Sequence, residues 1–319
     1  MPNAKIIGSG SYLPSKIVTN FDLQKIVDTS DEWIFERTGI KCRHIANDNE
    51  LTSDMGYEAS IEAIRDSSID KNEIDMIVVA TTTPDRTFPS TATIIQNKLG
   101  IQENCFAFDV QAVCSGFIYA LNIANNFIKS GQVKTALVIG ADTMSRIVDW
   151  TDRNTCVLFG DGAGAVIVRA TDEDCGILNC KLHSDGQYFN ILNTTGGVSS
   201  TKDSGFVYME GKEVFKLAIN KMASCVIENL NECGLTESDV DLLIPHQANK
   251  RIIDGVGKKL NLKMDKIVLT IEEQANTSAA SIPLAMNYAI KNNMIKKNNI
   301  IVLEALGGGL TWGSIIIKW

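Results

Sequence analysis

Three short stretches bring together residue types that do chemistry. Cys114 lies in Val113-Cys114-Ser115-Gly116, after a strand-like run at 104–110. A helical pattern follows, in which Phe117, Leu121, Ala124 and Ile128 recur and Gly131 supplies the stop. A thiol between a strand and a helix start meets free amides and the positive end of the helix dipole. These favour the thiolate, so its pKa is expected below the ordinary ~8.5. Gly116 leaves room for a substrate, although a buried packing cysteine is the plainer role for a free thiol. His246 follows the apolar run 240–244 and Pro245 and precedes a helix containing Arg251-Ile252-Ile253. The chain has only 3 histidines, so each can be weighed. His44, in the polar loop RHIANDN, reads as surface. His183 ends the strand pattern 178–183, opposite a face made by Leu178, Cys180 and Leu182. His246 is therefore the strongest candidate for chemistry, with a capping or core role as its alternative. The third stretch, ANTSAASIP, places Asn276 among small residues where another surface could approach closely; a helix cap is its plainer role.

The elements that must position these residues are legible as apolar runs alternating with helical patterns. Runs at 74–80, 135–140, 240–244 and 300–303 read as buried strands, and 56–66 and 214–230 as helices. This alternation predicts an α/β architecture with parallel strands. The order also repeats at an offset of about 164 residues. EIDMIVVATTTPD answers to DVDLLIPHQAN, and GAGAVIV to GLTWGSIII. Two similar halves follow, 1–172 with the cysteine and 173–319 with His246 and Asn276. In that register Ser278 corresponds to Cys114.

At 319 residues the chain is long enough for about two domains, and 45% apolar against 21% charged residues marks a globular protein. A net charge of −8 argues against general nucleic-acid binding, which needs a basic surface. No apolar run approaches the ~20 residues of a membrane span, and the N-terminus reads as strand rather than signal peptide. A cytoplasmic protein is expected, its 8 cysteines reduced rather than paired. GDGAGA looks like a nucleotide loop but precedes a strand pattern where a dinucleotide fingerprint needs a helix. Cys175, Cys180 and His183 have metal-like spacing, but the alternation sets Cys180 and His183 on opposite faces, so no zinc is expected.

Taken together, AVCSGF, PHQANKRII, ANTSAASIPLA and EALGGGLTWGS resemble the β-ketoacyl-acyl-carrier-protein synthase III family. The resemblance starts with GSGSYLPSKIVTN and SDEWIFERTGI and covers nearly the whole chain. It implies a thiolase-like fold, two βα halves packed as a layered α-β-α-β-α core. Related elongating enzymes use Cys-His-His, whereas the third position here is Asn276. Thiolases carry a second cysteine in the C-terminal glycine motif, and LGGGL has none. Plant-type polyketide synthases share Cys-His-Asn but are usually longer.

The resemblance implies an acyltransferase that starts fatty acid synthesis. Cys114 takes an acyl group from acyl-CoA, and the thioester is attacked by the carbanion from malonyl-acyl-carrier protein, giving CO2 and a 3-oxoacyl-carrier protein. Cys suits a transferable acyl group because its thioester stays reactive. Loss of CO2 supplies the carbanion, so the site needs hydrogen-bond donors rather than a strong base. Neutral His246 and the Asn276 amide fill that role, and the backbone amides of Cys114 and Gly308 form an oxyanion hole. CoA contacts fall to Trp33, Arg37, Arg153 and Asn249. Docking of an acidic carrier protein falls to Lys216, Arg251 and Lys258, of which Arg251 and Lys258 share a helix face. Lys212 departs from the Asn common there in the family. The family forms homodimers in which a partner Phe closes the acyl pocket, and Phe88 matches it. No metal or cofactor is expected. A related enzyme of secondary metabolism with another donor or acceptor, and a Cys-His-Asn thioester hydrolase, are the competing readings.

Overall fold

The computed structural model describes residues 2–319. Strand β1 (Asn3–Tyr12) opens the chain, followed by a ribbon of β2 (Lys16–Thr19) and β3 (Cys42–Ile45). β4 (Met76–Ala80), β5 (Phe106–Val110), β6 (Thr135–Thr143) and β7 (Asp161–Thr171) join β1 in a sheet ordered β1-β7-β6-β4-β5. β4 runs parallel to β5 and β6, and β7 antiparallel to β6 and β1. In the second half come β8 (Gly176–Ser184) and a ribbon of β9 (Leu192–Thr194) and β10 (Val207–Met209). β11 (Leu242–Pro245), β12 (Ile300–Gly307) and β13 (Thr311–Lys318) then join β8 in a sheet ordered β11-β12-β13-β8. The second sheet repeats the first without a counterpart of β5. A single parallel bridge, Leu243 with Ile267, stands in that place.

The first half holds helices α1 (Asn20–Leu23), α2 (Asp31–Thr38), α3 (Thr52–Ser67), α4 (Thr91–Leu99), α5 (Gly116–Lys129) and α6 (Arg153–Cys156). The second holds α7 (Gly211–Glu232), α8 (Lys250–Lys259), α9 (Ile271–Gln274) and α10 (Ser281–Lys291). α5 and α10 lie between the two sheets, α3 and α4 cover the outer face of the first, and α7 and α8 that of the second. This is the five-layer α-β-α-β-α arrangement. It explains why the strands read as unbroken apolar runs. Met76, Val78 and Ala80 of β4 face the central layer while Ile77 and Val79 face α3 and α4. Each large side chain so buried contributes about 2 kcal/mol. The halves meet closely: a Cβ at Gly140 would lie 2.2 Å from the Ala279 carbonyl oxygen.

Two local readings are corrected. Leu178 packs against α7 rather than sharing a face with Cys180 and Leu182, because a bulge opposite Ile316 and Ile317 shifts the register of β8. His44 sits in β3, not in a loop, with Nδ1 2.6 Å from the Pro14 carbonyl oxygen. The GDGAGA stretch itself enters strand β7, which starts at Asp161. Among the described residues, no helix is long and apolar enough to cross a membrane.

Candidate active site

β5 ends at Val110, and one 3-10 turn, Val113–Ser115, leads into α5. Val113 holds φ at +48°, a costly conformation for a β-branched residue, so the turn must be held from outside. The Ser115 hydroxyl donates to the Ala112 carbonyl at 2.8 Å and lies 2.8 Å from Thr311 Oγ1. The Thr311 hydroxyl is within reach of both the Ala112 and Gly308 carbonyls, at 3.1 and 3.2 Å. The end of β12 is pressed against the same turn, since a Cβ at Gly307 would fall 2.8 Å from the Cys114 nitrogen. Cys114 and the glycine-rich loop are thereby fixed against each other.

His246 follows β11, and its backbone N–H donates to the Glu304 carbonyl of β12. Gln247 clamps the loop: its amide donates to the Pro245 and Val268 carbonyls and accepts from the Thr270 and Ile271 N–H groups. His246 Nδ1 lies 3.0 Å from Ser281 Oγ. Asn276 is pinned to the first half through its backbone. Its N–H donates to the Leu158 carbonyl and its own carbonyl accepts from Gly160, each at 3.0 Å. Its side-chain oxygen accepts from the Ser278 N–H at 2.9 Å, which leaves the NH2 group as the free end.

Asp142 joins the halves behind this site. Fully buried at the end of β6, it accepts from the Thr81 and Thr83 hydroxyls, the Thr82 and Thr83 N–H groups and, across the interface, the Ala279 N–H. Arg43 is also fully buried, donating to the Val18 and Val157 carbonyls and the Asn20 side chain. On β12, Glu304 is buried with neither carboxyl oxygen hydrogen-bonded among the described residues.

The electrostatics are set by burial. Desolvation pushes His246 down to about 3, so the imidazole is neutral at pH 7. It also pushes the Cys114 thiol up to about 12, against the thiolate expected from its place at a helix start. Removal from water outweighs the amides, and the resting site holds a thiol. Glu304 is pushed up to about 8 for the same reason.

Cys114, His246, Asn276 and Gly308 all line one cavity of ≈870 Å³. Trp33, Arg37 and Asn249 line it as well, as does Arg251. The Arg37 and Arg153 guanidinium carbons lie 4.5 and 4.9 Å from the Trp33 ring centre. Asn249 caps α8 and donates to the Arg37 carbonyl, tying α8 to α2. Lys212 also lines the cavity. Lys216 and Lys258 are exposed outside it, and Arg251 lies over Phe215, next to Lys216. Phe88 is 81% exposed and does not line the cavity of its own chain.

The structure shifts the internal register by one residue. The 3-10 turns Val113–Ser115 and Ser278–Ala280 precede α5 and α10 alike, which sets Ala279 opposite Cys114 and Ser278 opposite Val113. Ser278 even repeats the positive φ, at +52°. Sequence reasoning missed Ser281 and the apolar lining from Phe189, Leu192, Met209 and Met222. Only the hydroxyl of Ser281 within ANTSAAS could have signalled it. Among the described residues no cluster of three His, Cys, Asp or Glu side chains is placed to hold a metal.

Residues 108–186 match the family model of 3-oxoacyl-[acyl-carrier-protein] synthase III, and residues 230–319 match its C-terminal part. A β-ketoacyl-[acyl-carrier-protein] synthase III from Paramagnetospirillum magneticum is 56% identical, over 99% of this chain and 98% of its own. The chain belongs to this family. A member from Ehrlichia canis is 55% identical over the full length of both chains. The crystal structure of the family member from Aquifex aeolicus superposes with a TM-score of 0.95 at 47% identity, covering 99% of this chain and 100% of that one.

Proposed function

We propose that the chain is a β-ketoacyl-acyl-carrier-protein synthase III, which joins an acyl-CoA primer to malonyl-acyl-carrier protein. The convergence of Cys114, a neutral His246 and the free end of Asn276 on one cavity carries this reading. Cys114 Sγ attacks the acyl-CoA carbonyl, CoA leaves as a thiolate and takes up the thiol proton, and an acyl-thioester remains. The amides of Cys114 and Gly308 receive the charge on the tetrahedral oxygen. Malonyl thioester then loses CO2. His246 and Asn276 donate to its carbonyl as enolate charge builds, each donor supplying ~3–4 kcal/mol. The enolate carbon attacks the acyl-thioester and Cys114 leaves as the thiolate, which takes a proton from solvent.

Trp33 with Arg37 and Arg153 offers a flat ring and two cations, which suits the base and phosphates of CoA. Arg251, at the cavity rim, and Lys216 and Lys258, outside it, suit an acidic carrier protein. Decarboxylation makes the carbanion, so the reaction calls for no metal or organic cofactor. Activity unchanged after dialysis against a chelator would support that. We also place the boundary between the halves at 172/173. We further propose a homodimer paired through β5. That strand ends its sheet, and Phe106, 43% exposed, stacks on Phe108 beside Phe127. Phe88 would then reach the partner's cavity. A single-chain mass in native mass spectrometry would refute the dimer.

Intact-protein mass spectrometry with a panel of acyl-CoAs tests the reading. One acyl adduct is expected, absent in Cys114→Ala and discharged by malonyl-acyl-carrier protein. An adduct lost to water without acceptor would favour a hydrolase, and no adduct from any donor would overturn the assignment.

A further inference from the structure

We infer that Ser281 is a positioning residue that fixes the tautomer of His246, leaving its hydrogen on Nε2, the ring nitrogen free for the substrate. Ser281 is the first residue of α10 and only 1% exposed, so water does not compete for its hydroxyl. Its oxygen accepts from the Gln247 N–H at 2.6 Å. The oxygen also lies 3.0 Å from His246 Nδ1. A hydroxyl has one hydrogen to give. Among the described residues, His246 Nδ1 is the only acceptor within reach of it. If Nδ1 carried the ring hydrogen, that hydrogen would point at Oγ and the serine hydrogen would be buried without a partner, an expensive arrangement. With Nδ1 accepting, both groups are satisfied and the hydrogen sits on Nε2.

Gln247 makes the arrangement rigid. Four hydrogen bonds hold its side chain, so the N–H it presents to Ser281 is fixed. That N–H occupies one lone pair of Oγ and turns the hydroxyl hydrogen towards the imidazole. The neutral state of the ring, set by its burial, agrees with a ring that carries one hydrogen. The chain thus selects the tautomer with a side chain on α10, 35 positions away in sequence.

The inference rests on reading His246 as a neutral donor, and the two can fail separately. Nitrogen-15 NMR of histidine-labelled wild-type protein at pH 7 reads the tautomer directly; His246→Asn identifies the signal among the 3 histidines. Hydrogen on Nε2 is expected. Hydrogen on Nδ1, or an imidazolium, overturns the inference even if Cys114 acylates normally. In Ser281→Ala the signal should become a mixture of tautomers. Malonyl decarboxylation should fall about a hundredfold, while acylation of Cys114 by acyl-CoA changes little. Ser281→Thr, which keeps the hydroxyl, should restore both the tautomer and decarboxylation. An equal loss in both half-reactions with the tautomer unchanged would mean that Ser281 only packs, and would overturn it. Failure of wild-type protein to acylate at all, with hydrogen on Nε2, would refute the proposed function and leave the tautomer assignment standing.

Discussion

In the first half, β4 runs into Thr81, Thr82 and Thr83, which fold onto the carboxyl group of Asp142 at the end of β6. In the second half, the matching strand β11 runs into His246 and Gln247, and the matching strand β12 ends in Gly307. One topology therefore serves opposite ends. Where the first half places a buried carboxyl, its pKa raised by desolvation, and saturates it with hydrogen bonds, the second leaves a glycine so that the Cys114 turn can be pressed close. The junctions before α5 and α10 differ in the same way. Both are single 3-10 turns with a positive φ, yet one holds Cys114 and the other Ala279. Duplicated scaffolds supply geometry, and the chemistry comes from where their side chains depart from each other. On the proposed roles, the nucleophile comes from one half and the two side-chain donors for decarboxylation from the other, so the loss of those donors should spare acylation.

The largest expected effect follows from that division. His246→Ala should slow malonyl decarboxylation about 10²–10³-fold while Cys114 still acylates, and Asn276→Ala should behave alike. Rapid quench of acylation, alongside CO2 release, reads both steps; equal losses in both would break the division between halves. A second test separates them by pH. The Cys114 thiol, at about 12, makes acylation rise about tenfold per pH unit through the neutral range. His246, at about 3, keeps decarboxylation level as pH falls through 6.5, where an ordinary imidazole would protonate. Parallel profiles for the two steps would show that one titration governs both halves.

The smallest effect concerns stability. Glu304 titrates near 8 when folded, well above an ordinary glutamate at 4.5. The folded state then holds the extra proton between those values, so stability falls as pH rises from 4.5 through 8. Glu304→Gln should flatten that loss in melting temperature between pH 5 and 9. An unchanged slope would show that the carboxyl is already ionised.

The sequence carried the strands, the repeat and the three residues that share the cavity, because buried parallel strands are apolar throughout and these residues lie in short motifs at their ends. It did not carry what depends on long-range register. Leu178 was misplaced because a bulge costs one residue that no local pattern marks. The one-residue error opposite Cys114 arose because small residues in ANTSAAS align equally well either way. Ser281 and Asp142 act through partners 34 to 137 positions away, and nothing near them announces it. The thiol pKa was misjudged because a local rule about helix ends says nothing about how deeply the end is buried.

The absence of a β5 counterpart in the second sheet has a consequence for valence. The outer side of β11 is already taken, since Val268 donates to the Leu243 carbonyl at 2.9 Å. Of the four strands that end the two main sheets, β1, β5, β8 and β11, β5 is the one that exposes a large aromatic side chain, Phe106. A molecule with two such edges could add copies end to end without limit, as fibrils do; a molecule with one can pair once and is then spent. The shortened second sheet leaves the molecule one such edge instead of two.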